Sequence, residues 1–396
     1  MARILTAKDL ELFYSGIPGH PFLSIGDIVT IMKATGAVTT ELTPEFFNAV
    51  YGAQIWYQIN MEANAFAAIP KTTWPRTGWR VIKSLSTTAD TIGISQTGAL
   101  PSAVRPEVEV VKTAPKVEAL TFEVSEVIEE LAAMSADDIW GNVDQIRMYY
   151  GVEFTKLLNK QLLYKAIGNG ANSSESSAGY KLESIDRIVS GYSESTINAD
   201  GSGAIGSAVD VYGIDRHSAE SWADAVVLHN NGSLRSLTDD LIRELIAKTT
   251  TKGAHPTFYL TGYDTYAAIN GLYMTFTRYM PMSETAVQFG VEGVKTASGA
   301  DVGIKVAALY GIPIIQAVDT PADDGGLQRI YLLDTSDYEG NGLPRLAISV
   351  VRPIEYFETR DYPLLNKFVI KGVYRFVGET IARGLAYQGK IRDIQE

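Results

Sequence analysis

Four histidines, His20, His217, His229 and His255, are the only imidazoles in this 396-residue chain, and it has no cysteine. Thiolate nucleophiles, disulfides and thiolate metal sites are therefore excluded. The histidines lie far apart, in no ligand spacing. Asp215, Arg216 and His217 put an acid, a cation and an imidazole side by side, the residue types of general acid–base chemistry. No nucleophile or second base stands at a useful spacing, so a polar loop is the expected reading. Gly201, Gly203 and Gly206 spell GxGxxG. A dinucleotide site needs a buried strand before that turn and a helix after it. Here 195–200 is polar and 207–213 is not helical in pattern, which predicts a plain glycine-rich loop. Asp137-Asp138 and Asp323-Asp324 are carboxylate pairs of the kind a hard cation takes, yet neither has companion ligands. The first reads as a helix cap and the second as a Gly-flanked turn. Phosphate-loop, HExxH and GxSxG patterns are absent. Asn172 and Asn231 fit a glycosylation sequon, which has no consequence in a chain that is not secreted. Five Trp and 21 Tyr could stack on bases, but their core spacing among acids marks them as packing and interface residues. The expectation is no catalytic residue, no cofactor and no metal.

The bulk composition narrows the classes further. Apolar residues make up 46% and charged residues 20%, a globular balance with enough length for two domains or one large irregular one. The net charge of -12 comes without any basic stripe, which argues against a groove-wrapping nucleic-acid binder. No apolar run approaches a membrane span, and the opening MARILTAKDLEL carries charges where a signal sequence needs its apolar stretch. A soluble chain that stays in the cytoplasm, or leaves it by lysis, is expected.

The elements that must position any site are legible as changes of period. Thr43-Pro44 predicts a helix start, and 45–68 is apolar and aromatic on nearly every side, a helix that something must cover. From Trp79 to Glu126 alternation replaces the helical period, around a breaker-rich tip at 97–106. This predicts one long two-stranded hairpin, with Leu120, Phe122 and Val124 in its return arm. Such a ribbon is marginal alone and needs a partner surface. Asp137-Asp138 then caps a long helix from Ile139 to about Ile167, with Gly151 inside it at a cost of about 1 kcal/mol relative to alanine. Residues 171–210 are Ser/Gly-rich and read as a loop or insertion, not a core element. A compact block follows: a helix over 234–248, strands over 257–261, 312–318 and 330–334, and a helix over 263–270. Two long strands, 346–358 and 366–377, close the chain, giving an α+β fold.

This order resembles the major capsid proteins of tailed phages and related archaeal viruses, the Hong Kong 97 fold. Three stretches carry the likeness: Gly191–Trp222 ending VYGIDRHSAESW, Leu237–Leu272, and Val306–Thr320 with its Gly-Pro crossing into a strand. The resemblance implies an N-terminal arm over 1–78 and an E-loop hairpin over 79–126. It also implies a peripheral domain over 127–222 with the spine helix and the Ser/Gly-rich insertion, an axial domain over 223–345, and peripheral closing strands over 346–396. It further implies a structural protein, not an enzyme. Copies would self-assemble as hexamers and pentamers into an icosahedral head around double-stranded DNA, packaged without sequence-specific binding. The implied partners are the chain itself, a scaffold protein during assembly, a portal protein at one vertex and optional cement or decoration proteins, with no membrane. The hairpin begins by residue 79, so the scaffold is expected to be a separate protein. The place implied is the virion, after assembly in the host cytoplasm. No Lys–Asn crosslink is assigned, although Lys112 and Lys116 lie on the predicted hairpin.

Three other readings remain open. An encapsulin-like nanocompartment shell shares the fold and packages a cargo enzyme. An α/β enzyme with a large lid would have 215–229 as its candidate site. A tail or baseplate protein would form tubes or small rings.

Overall fold

The computed structural model describes residues 62–74, 76–84, 96, 105–126, 143–165, 181–197, 205–277, 308–323, 325–337, 340, 342–360, 365 and 367–396. In chain order they form helix α1 (Asn64–Ala68) and strands β1 (Lys71–Thr73), β2 (Gly78–Ser84), β3 (Glu107–Lys112) and β4 (Lys116–Ser125). Helices α2 (Val143–Leu162), α3 (Ile185–Ile188) and α4 (Tyr192–Ser195) follow, then β5 (Val226–Leu228), β6 (Arg235–Ser236), α5 (Asp239–Thr251), β7 (Phe258–Thr261) and α6 (Tyr263–Thr277). The rest are strands β8 (Ala308–Leu309), β9 (Ile312–Gln316), β10 (Ile330–Leu333), β11 (Leu346–Thr359), β12 (Val369–Ala382), β13 (Gly389–Ile391) and β14 (Ile394–Gln395). The described residues divide into two compact units, one within 119–154 and 354–376 and the other within 62–118, 155–353 and 377–396. A four-stranded sheet has the order β1-β11-β12-β4, with β1 parallel to β11.

The first unit is held by aromatic rings. Phe122 of β4 stacks on Tyr150 of α2 at 4.8 Å, while Tyr374 of β12 lies 5.1 Å from Tyr356 and 6.1 Å from Phe154. Glycine is required where these rings pass. A Cβ on Gly372 would run into the Phe122 ring, and one on Gly151 would stand 3.1 Å from the Tyr374 hydroxyl. That hydroxyl donates to the Arg147 carbonyl at 2.6 Å, one helical turn before Gly151. Gly151 thus lets β12 lie close to the helix, and its propensity cost is offset by ring packing.

The second unit is built on a six-stranded mixed sheet, β5-β13-β10-β7-β9-β8. Helix α5 packs Ile242 and Leu245 onto it, against Val226, Tyr259, Leu332 and Ile391. Strand β7 is buried throughout, as is β10, the expected pattern of central strands covered on both faces.

Several expectations are corrected. Among the described residues the predicted ribbon pairs β2 with β3, in antiparallel register from Gly78↔Lys112 to Ser84↔Glu107. Pro115 has no N–H and restricts Ala114, so the ladder stops; Leu120, Phe122 and Val124 instead belong to β4 of the four-stranded sheet. Most of the predicted tip, like Asp137-Asp138, lies outside the described residues, and the helix described is Val143–Leu162. The predicted helix over 45–68 is described only as Asn64–Ala68, residues 1–61 lying outside the described residues. The predicted start of the next helix at Leu234 is instead a short strand: Arg235 N–H bonds to Asp393 and Leu237 N–H to Gln395, so α5 begins only at Asp239.

The largest correction concerns 171–210. Residues 182–197 form core, with Leu182, Ile185, Ile188, Val189 and Ile197 buried. Polarity misled because the burial is ionic. Asp186 and Glu194, both without exposed surface, meet Arg329 just before β10, Lys390 in β13 and Arg392 just after it. Arg329 pairs with Asp186 at 2.8 Å, Lys390 with Glu194 at 2.8 Å, and Arg392 with Glu194 at 3.1 Å.

Candidate assembly surface

The β2–β3 ribbon turns two chemically different faces outward and inward. Trp79, Val81 and Lys83 alternate with the more exposed Arg80 and Ile82, and Val111 is buried while Val108 and Val110 are exposed. Register places Arg80 opposite Val110 and Ile82 opposite Val108, so these four share the outward face. Ile82 is 61% exposed, Val110 56% and Val108 49%, a β-branched surface of the kind normally buried against something. The inward face is fastened to its own unit. Trp79 meets Tyr212 edge-on at 5.4 Å and Trp222 Nε1 donates to Glu109 at 3.0 Å, while Lys83 pairs with Glu107 at 3.1 Å across the ribbon itself. An isolated hairpin would be marginal in water, and this anchoring supplies part of what it lacks.

The chemically suggestive loop resolves differently. The Arg216 guanidinium is fully buried and donates to the carbonyls of Arg187, Ile188, Ser190, Val209 and Ala223. It ties the 182–224 segment together and does not point to solvent or substrate. His217 Nδ1 lies 2.8 Å from Asp210 Oδ2 and 3.0 Å from Asp215 Oδ1. The hydrogen bond to Asp210 raises the pKa of His217. Asp215 is held below its ordinary value by bonds from Ser218 and His217. Asp210 is the member sequence spacing missed, brought in by the tight turn at Tyr212 and Gly213, both at positive φ. Ser218 Oγ donates to Asp215, not to the imidazole, so the loop lacks a hydroxyl poised on its base.

The ligand atoms of Asp210, Asp215 and His217 lie within 4.8 Å of one another, the single such group of three among the described residues. The acidic candidate Asp323 is instead occupied by Arg329 and Arg392. Burial raises its pKa, but the two guanidiniums pull it down to about 2. Of the GxGxxG glycines only Gly206 is described, opening a 3-10 turn at positive φ and not an α-helix. A groove of about 690 Å³ beside Tyr192, Asp224, Val226 and Lys252 has no histidine in its lining.

No family model matches the sequence, and no curated protein does. Solved structures do. The capsid subunit of cyanophage A-1(L) aligns over 90% of this chain and 100% of its own, at 14% identity and a TM-score of 0.61. The capsid of the native GTA particle aligns over 90% and 99%, at 12% identity and a TM-score of 0.50. The chain has the fold of phage capsid subunits. This capsid fold is a mixed α and β architecture of several sheets and few helices, in agreement with the α+β class read from the sequence. An encapsulin, SrpI from Synechococcus elongatus, aligns over 91% of the chain at a TM-score of 0.47, too low to bear on the choice between shells.

Proposed function

We propose that this chain is the major capsid protein of a tailed virus, a structural subunit and not an enzyme. Copies assemble as hexamers and pentamers into an icosahedral head around double-stranded DNA. The observation that carries the reading is the capsid fold over nine-tenths of the chain, supported by the exposed apolar face of the ribbon. In the proposal 1–78 is the N-terminal arm, 79–126 contains the E-loop, and 127–222 with 346–396 forms the peripheral domain. Residues 223–345 form the axial domain. Each contact between neighbours is modest, and a closed shell makes many at once. A scaffold protein, a portal protein and optional cement proteins are the assembly partners, in the host cytoplasm and then in the virion. The net charge of -12 suits a wall that must contain DNA without holding it.

The test is negative-stain microscopy and size-exclusion of the full chain, expressed alone and with its scaffold. Capsomers or closed shells are expected, and a well-behaved monomer under both conditions overturns the proposal. Tubes or small rings would assign it to a tail, and shells filled with a cargo enzyme to a nanocompartment.

A further inference from the structure

Asp210, Asp215 and His217 bring two carboxylates against one imidazole nitrogen, and hydrogen bonding accounts for only one of the two approaches. His217 Nδ1 bonds to Asp210, at 2.8 Å to Oδ2 and 3.1 Å to Oδ1. Asp215 Oδ1 stands 3.0 Å from the same nitrogen, outside that hydrogen bond. A ring nitrogen carries one proton, and Asp210 takes it. A centre that the nitrogen and both acids can share at once is a cation bound to a deprotonated Nδ1. Among the described residues no lysine or arginine side chain pairs with Asp210 or Asp215, in contrast to Asp323, which Arg329 and Arg392 neutralise.

The spacing suits coordination. Ligand atoms about 2.1 Å from an ion and separated by these distances subtend about 85–90° at it. That is the angle between neighbouring positions of an octahedron, so each acid can stand beside the imidazole with water in the remaining positions. Asp210 and His217 are half-buried and Asp215 is exposed, which leaves a path for the ion and room for its waters. The frame behind the ligands is rigid. Arg216, between Asp215 and His217 in the chain, is fully buried, and its guanidinium binds the carbonyls of Ser190, Val209 and Ala223. Its backbone N–H holds Asp210 Oδ1 at 2.8 Å, and Ser218 Oγ holds Asp215 Oδ2 at 2.7 Å. Hydrogen bonds of this outer kind orient the carboxylates of metal sites.

We propose that Asp210, Asp215 and His217 bind one divalent transition-metal ion of the zinc or manganese kind. The imidazole nitrogen favours such ions over Mg²⁺ and Ca²⁺, which take oxygen ligands. As the ion enters, His217 releases its Nδ1 proton to solvent, and the two carboxylates balance the ion's charge. The ion ties both ends of the 210–217 turn together. That turn carries Tyr212, the ring that meets Trp79 of β2.

The experiment is calorimetric titration of the full chain with Zn²⁺, in the wild type, His217→Ala, Asp210→Asn and His229→Ala. The wild type and His229→Ala should each saturate at one ion per chain. His217→Ala and Asp210→Asn should weaken binding by about tenfold or more. Excess Mg²⁺ should not displace the Zn²⁺. Absence of saturable binding, or an affinity unchanged in His217→Ala, overturns the proposal. Displacement of Zn²⁺ by Mg²⁺ overturns the role given to the imidazole. Should His217→Ala fail to fold, Asp215→Asn takes its place, and unchanged affinity in that variant likewise overturns the site.

Discussion

Lys390 sits inside β13 with no exposed surface, touching Asp186 at 3.1 Å and Glu194 at 2.8 Å. Burying so much charge is tolerable only because each ion has partners, and removing one leaves the others stranded. Arg329→Met takes away the guanidinium shared by Asp186 and Asp323. It should lower stability by about 3–5 kcal/mol, read by urea unfolding. Asp323 adds a pH signature. Its folded value of about 2 lies below the ordinary carboxylate value, so its contribution is present above that ordinary value and is lost as pH falls toward about 2. Acid titration should therefore destabilise the wild type more steeply than Asp323→Asn, which starts lower at neutral pH; equal slopes would contradict the assignment. Little of this was readable beforehand. Asp323 could be seen as an acid in a turn, but the arginines it meets are 6 and 69 positions away, and spacing along the chain does not report such a meeting.

At the scale of elements, the ribbon and β12 show what pattern can and cannot say. The alternation in β12 holds from Ile370 on, with Ile370, Tyr374 and Phe376 buried between the partly exposed Lys371, Val373 and Arg375, but it fails at the start, where Phe368, expected on the apolar face, is 73% exposed and Val369, expected opposite, is buried. The partner of β4 was not legible, because alternation gives a strand its faces but not its neighbour. Two variants test the element-level account. Gly372→Ala should cost about 1–3 kcal/mol, the usual penalty for overpacking, because its methyl group meets the Phe122 ring. Ile82→Asp with Val110→Asp, on the outward face of the ribbon, should leave subunit stability within about 0.5 kcal/mol per substitution while abolishing particle formation. Thermal melting and electron microscopy of the same sample separate the two effects, and intact shells from the double variant would remove the ribbon from the assembly surface.

For the whole molecule, a chain whose apolar surface is completed by neighbours should gain stability on assembly. Subunits in particles should melt at higher temperature than free subunits at the same concentration, by mass action alone; equal melting in calorimetry would speak against a shared interface. The sequence by itself determined the order of elements and the apolar faces of the long strands. It also excluded thiol chemistry, through the absence of cysteine. These are local properties, carried by composition and by period. Only the tertiary structure decided that 182–197 is core, that β4 leaves the ribbon, and that Asp210 joins His217. Each depends on which distant groups meet. Charge burial in particular inverts the rule a sequence reader must use, that polar segments stay outside, whenever the partners that neutralise them lie elsewhere in the chain.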